Sequence, residues 1–222
     1  MFPRKTEHPS DVRVAILAKA PVAGLAKTRL IPHLGADGAA ALQRWLLQRT
    51  IATAVGAGLG PVTLWCTPDV HHPEFAACKA FGAIELRCQP EGDLGERMHV
   101  AIAESPSCNG TLVIGTDCPA LTSDLLRQAA ETLQYHDAVV IPAEDGGYVL
   151  IGTRQAEGQL FQAVNWSTDQ VIVQTRARLM AMNWRWREFP PLWDIDRQED
   201  FERLTEIFPD ALILAPQKVA GA

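Results

Sequence analysis

Thr111-Leu112-Val113-Ile114-Gly115 (TLVIG) runs directly into Thr116-Asp117-Cys118-Pro119-Ala120-Leu121-Thr122. The first five residues are apolar on both faces, which suits a central strand of a parallel sheet and not a half-solvated one. Ser123–Leu133 follows as a helix with Thr122 as its N-cap. Working outward, strand-like and helix-like segments alternate almost end to end. Val12–Ala18, Val62–Cys66 and Ile84–Cys88 read as strands. Asp37–Val55, His71–Phe81 and Leu94–Glu104 read as the helices between them. Ala138–Pro142 and Tyr148–Gly152 are joined only by Ala-Glu-Asp-Gly-Gly, too short for a crossover helix, so this pair is expected to be antiparallel. Thr168–Met182 reads as a helix, Trp184–Glu188 as a half-buried strand and Arg197–Phe208 as a last amphipathic helix. The pattern predicts a three-layer α/β/α domain around a mostly parallel sheet, with ligands bound beyond the carboxyl ends of its strands.

The 222 residues are enough for one real core, and the expected division is a leader over 1–11, one domain over 12–215 and a tail over 216–222. A hydrophobic fraction of 47%, with no apolar run near the roughly 18 residues of a membrane span, indicates a globular chain with no membrane partner. The polar start, lacking the apolar middle of a signal peptide, makes the cytoplasm the expected location. A net charge of −6 argues against a nucleic-acid surface but not against a small phosphate ligand held by a local cationic loop. The five cysteines, Cys66, Cys78, Cys88, Cys108 and Cys118, have no zinc spacing and are expected as reduced, mostly buried thiols.

Four stretches at strand ends carry chemistry-bearing residues. Lys19, Lys27 and Arg29 lie in the Gly/Pro-bearing loop after the first strand, where backbone N–H groups and cations suit polyphosphate oxygens. The loop has neither Walker A nor GxGxxG spacing, and its ordinary alternative is a solvated basic loop. Asp117, delivered by the TLVIG strand, suits a hard cation such as Mg²⁺ or Mn²⁺, although an aspartate there also serves as a turn or cap residue. Glu144-Asp145-Gly146-Gly147 is either a plain hairpin turn or a place where Asp145 binds an acceptor and takes its proton. In Trp193-Asp194-Ile195-Asp196, Asp196 is either a helix cap or a second metal ligand, and spacing alone leaves both open.

Six segments, AKAPVAGLAKTRL (18–30), GDLGERM (92–98), GTDCPALT (115–122), EDGGYVLIG (144–152), NWSTDQV (165–171) and DIDRQEDFERL (194–204), together resemble the GT-A-like nucleotide-diphospho-sugar transferases. Within them the chain looks most like the bacterial DUF2064 family of glycosyltransferase-like proteins, sometimes linked to arsenosugar biosynthesis. The resemblance implies a Rossmann-like GT-A fold with the nucleotide over its first half, Lys27 and Arg29 facing the phosphates and Asp117 on the metal. It places Arg97 near the nucleoside. Likeness to sugar-nucleotide synthetases points to Asp196 as a metal ligand, although Arg197-Gln198 stands where they carry Thr-Pro. The expected activity is glycosyl transfer from a nucleotide-diphospho-sugar to a small-molecule acceptor, with Lys27 assisting departure and Asp145 as base. The AKTRL loop also resembles guanylyltransferases acting on phospholactate, so nucleotidyl transfer from an NTP stands as the alternative. A non-catalytic nucleotide-binding module is the reading from another class.

Overall fold

The computed structural model describes residues 11–105 and 109–214; the expected tail, Cys108 and all but Asp11 of the expected leader lie outside them. The strands are β1 (Arg13–Lys19), β2 (Val62–Thr67), β3 (Ile84–Cys88), β4 (Thr111–Ile114), β5 (Ala138–Pro142), β6 (Tyr148–Thr153) and β7 (Trp186–Glu188). The helices are α1 (Ile31–Gly56), α2 (Pro73–Ala77), α3 (Leu94–Ala103), α4 (Ser123–Thr132), α5 (Val171–Ala181) and α6 (Gln198–Ile207). One sheet takes the order β3-β2-β1-β4-β6-β5-β7. β6 runs antiparallel to both β4 and β5, and every other pairing is parallel. The expected α/β/α architecture and the antiparallel β5–β6 pair are both observed.

β4 lies at the middle of this order, and all four of its residues are buried. Alternation along the strands sorts the core into two layers, because successive side chains leave opposite faces of a sheet. Val14, Ile16, Leu112 and Ile114 pack with Leu47 and Ile51 of α1 and Leu126 and Ala129 of α4. Ala15, Val113 and Ile151 pack on the other side with Met98 and Ile102 of α3 and Ile172 and Leu179 of α5. Each fully buried Leu or Ile contributes about 1.5–3 kcal/mol of transfer free energy.

Helix starts follow local chemistry. Thr122 caps α4 through its hydroxyl and the Leu125 N–H, as expected. Asp93 and Glu96 form a reciprocal capping box at α3. α1 is broken at Gly35, which has φ 72°, so its regular part begins near the expected Asp37. Two elements begin later than the sequence predicts. Thr168 bonds the Asn165 carbonyl at 2.7 Å in a turn, and α5 starts at Val171. Asn183, at φ 53°, turns the chain after α5, and β7 starts at Trp186. Cys66, Cys78 and Cys118 are buried free thiols and Cys88 is exposed. Among the described residues no helix is long and apolar enough to cross a membrane.

Candidate active site

The carboxyl ends of β1, β2 and β4 open into a cleft of about 590 Å³, within the range of small-molecule sites. Lys19, Lys27, Arg29, Arg97, Asp117, Asp194 and Asp196 all line it. The cationic loop, Arg97 and two of the carboxylates that the sequence marks, Asp117 and Asp196, therefore share one cavity, while Asp145 does not line it.

The loop after β1 is wound tightly, with Leu25 and Ala26 N–H groups both donating to the Val22 carbonyl at 3.0 Å. Gly24 supplies one left-handed residue at φ 81° and Lys27 a second at φ 45°. A left-handed lysine is uncommon and costs conformational free energy, so the surroundings must hold it there. They do: its side chain is only 5% exposed, and its ammonium meets Asp117 Oδ1 at 2.7 Å. The same ammonium donates to the Ile195 carbonyl. An ammonium has three N–H donors, so two are engaged and one is left for a ligand. Ile195 N–H in turn donates to the Asp117 carbonyl at 2.8 Å, lacing the segment before α6 to the end of β4. Buried Gln43 supports this end from below, donating to Thr116 Oγ1 at 3.1 Å.

Arg29 pairs with Asp196, and both side chains are largely solvated, at 67% and 43% exposure. Lys19 Nζ donates to the Leu25 carbonyl at 2.8 Å and so braces the loop that carries Lys27. The helix-start role that sequence leaves open for Asp196 belongs to Asp200, whose carboxylate accepts from the Asp196 and Arg197 N–H groups at 2.9 and 2.7 Å.

Asp194 is the site residue that sequence reasoning passes over. Trp193 and Ile195 are buried, which turns Asp194 and Asp196 the other way, towards the cleft. Burial, and the nearby charges of Asp145 and Asp117, push the Asp194 carboxyl up to about 6, with Lys27 acting in the opposite sense. The alternation of large apolar and acidic residues in WDID is the signal that could have revealed it. Asp145 does not line the cleft; it sits at the tip between β5 and β6, where its Oδ1 accepts from the Gly147 N–H at 2.9 Å. Its charge is one of those that raise the Asp194 carboxyl. Tyr148 lines the cleft wall, its hydroxyl near Met98 Sδ at 3.5 Å, and burial pushes its phenol up.

At the opposite end, Gln89 reaches across the strand ends, its amide donating to the Ala18 carbonyl at 3.1 Å and the Trp65 carbonyl at 2.9 Å. Arg97, in the first turn of α3, approaches Gln89 Oε1 at 3.4 Å.

A mostly parallel seven-stranded sheet, helices on both faces and a cleft at its carboxyl edge define a Rossmann-like fold of the nucleotide-diphospho-sugar transferase type. Within that class the chain belongs to DUF2064, described as an uncharacterized protein family conserved in bacteria, whose profile matches residues 50–168. Arg97, Asp117 and Asp145 lie inside the matched span, while Lys27, Arg29, Asp194 and Asp196 lie outside it. A candidate nucleotide-diphospho-sugar transferase from Desulfovibrio desulfuricans G20 shares 28% identity and a TM-score of 0.76, over 85% of this chain and 83% of that one. Rv0371c from Mycobacterium tuberculosis H37Rv shares 19% identity and a TM-score of 0.59, over 89% of this chain and 99% of its own. A cytidylyltransferase from Leptospira borgpetersenii shares 13% identity and a TM-score of 0.59, over 96% of this chain and 100% of its own. The last two establish likeness of fold alone. No curated protein matches the chain.

Proposed function

We propose that the protein is a divalent-metal-dependent transferase that moves the sugar of a nucleotide-diphospho-sugar to a small-molecule acceptor. The observation that carries this reading is the buried Lys27 ammonium, pinned by Asp117 and the Ile195 carbonyl, in a residue that lines the cleft with Asp194. It is the arrangement a diphosphate needs: fixed positive charge and a carboxylate pair that accepts a cation.

The donor set fits Mg²⁺ or Mn²⁺. Among the described residues no group of three or more His, Cys, Asp or Glu side chains is arranged to hold a metal. Mg²⁺ commonly takes one or two carboxylates and completes its shell with water and substrate phosphates, so two protein ligands suffice. Asp117 uses only Oδ1 for Lys27, and a cation would offset both the burial and the neighbouring carboxylates that raise Asp194. Asp117 and Asp194 would hold the ion; Asp196 is taken by Arg29. When bound, the ion would offset the charge of the departing diphosphate.

The protein groups then divide the work. Lys27 donates its remaining N–H to a phosphate oxygen, and Arg29, which keeps its pair with Asp196, donates to a second through N–H groups that the pair leaves free. Asp145 accepts the proton of the acceptor hydroxyl with the oxygen that does not bind Gly147. The acceptor oxygen forms its bond to the anomeric carbon as the bond from that carbon to the diphosphate breaks, and the nucleoside diphosphate leaves. Nucleotidyl transfer is the second reading, favoured by one observation: Lys19, Lys27 and Arg29 all line the cleft, enough cation for a triphosphate. Incubation with Mg²⁺ or Mn²⁺, nucleotide-sugars, NTPs and an acceptor panel tests both. Metal-dependent release of nucleoside diphosphate supports glycosyl transfer, and release of pyrophosphate replaces it with nucleotidyl transfer. Binding without turnover across the panel would reduce the protein to a nucleotide-binding module.

A further inference from the structure

We propose that Arg97, oriented by Gln89, reads the nucleobase and selects bases with two adjacent hydrogen-bond acceptors, guanine or cytosine, over adenine and uracil. The inference rests on the nucleotide reading above and adds the substrate's base to it. On that reading Lys27, Asp117 and Asp194, which line the cleft, hold the phosphates over the ends of β1 and β4, with the acceptor on the side of the β5–β6 turn that carries Asp145. The end over β1, β2 and β3 is left for the nucleoside. Its lining fits a flat, partly apolar group: Leu25 is 55% exposed and Leu94 43% exposed, and both line the cleft.

Gln89 is locked in one orientation. Its amide nitrogen has two N–H groups, and both are engaged by the Ala18 and Trp65 carbonyls. Its backbone N–H is held by the Cys66 carbonyl at 2.9 Å. The amide therefore cannot flip, and Oε1 is the face it offers to Arg97.

Arg97 is fixed from its other side by the capping box of α3, its own N–H donating to the Asp93 carbonyl at 3.1 Å. Its guanidinium has five donors, of which the long Gln89 contact engages one, and its Nε is buried without a partner. Among the described residues no carboxylate forms a salt bridge with it. A guanidinium donates only. Guanine offers O6 beside N7, and cytosine O2 beside N3. In adenine and uracil each ring-edge acceptor of that kind is flanked by an N–H, which meets a donor face badly.

Calorimetric titration of the protein with GDP, CDP, ADP and UDP in the presence of Mn²⁺ tests this. GDP or CDP is expected to bind about tenfold or more tightly than ADP and UDP, the discrimination of one two-point contact. Arg97→Ala is expected to bring the four affinities within about threefold, and Arg97→Lys, a single-point donor, not to restore the spread. Tightest binding of ADP or UDP, or an equal loss for all four in Arg97→Ala, would overturn the inference, the latter making Arg97 a phosphate contact. Wild-type binding of all four alike overturns it while leaving the nucleotide reading standing. Binding of none of them removes both. The wild-type ranking decides the matter even where Arg97→Ala fails to fold.

Discussion

Asp194→Asn keeps the shape of a half-buried side chain and removes its charge. In the folded protein burial, then Asp145 and Asp117, raise this carboxyl from 3.8 to about 6. At about 1.4 kcal/mol per pKa unit, ionised Asp194 would cost the folded state up to about 3 kcal/mol. The group still meets solvent, which screens part of that, so about 1–1.5 kcal/mol is the expected size. The folded pKa lies above the unfolded one, so the group's contribution to stability is full below 3.8 and is lost as pH climbs through about 6. Asparagine has no such loss. Variant and wild type should therefore melt alike near pH 4, diverge as pH rises and hold a constant gap above about pH 6, with the variant higher by about 2–6 °C. Thermal melts in chelator across this range measure it. In the same series, Mn²⁺ with GDP should raise the wild-type midpoint and leave the variant's unmoved. A variant that melts below wild type at high pH, or a gap that does not change with pH, would refute the idea that burial and like charge disfavour an ionised carboxylate at this site.

Asp117→Ala should abolish metal-dependent nucleotide binding in calorimetry while the melt stays cooperative, because Asp117 is half-exposed and its backbone contacts remain. Lys27→Met should reduce turnover by about 10²–10³-fold, the range for one preorganised donor at developing charge, read as initial rates at saturating donor. Gly146→Ala should be strongly destabilising: the residue sits at φ 94°, and a Cβ there would lie 2.5 Å from the Asp169 carbonyl oxygen. The expected loss is about 2 kcal/mol or more, seen as a midpoint lower by roughly 4–8 °C.

The fold was readable because its signals are local. TLVIG has no polar face, so β4 had to be covered on both sides, and it is the middle strand. The five residues between β5 and β6 cannot carry a crossover, and β6 runs antiparallel. The Thr122 cap needs only Leu125, three residues away. Where a boundary was misjudged, the deciding contact was a turn without periodicity, as between Thr168 and Asn165 before α5.

Sequence marks Lys19, Lys27, Arg29, Arg97, Asp117 and Asp196, which line one cleft, but it passes over Asp194 and places Asp145 with them although Asp145 does not line it. Which partner each one meets depends on residues far along the chain. Spacing puts Asp194 and Asp196 on the same side of their segment and offers no choice between them. Arg29, 167 residues away, pairs with Asp196, and that pairing is the ground on which we propose Asp194 and not Asp196 as the partner of Asp117. Likewise nothing in AKTRL marks Lys27 as left-handed; Gly24 is the residue that invites such a conformation. Lys27 adopts it because Asp117 and the Ile195 carbonyl both engage its ammonium. The carbonyl of Ile195 is in position because its N–H is tied to the end of β4. The central strand thus fixes the lysine from two sides, directly through Asp117 and indirectly through the segment before α6. Lys27, in a loop that sequence reads either as a polyphosphate site or as solvated and basic, becomes a buried, preorganised cation only when the sheet has closed around it.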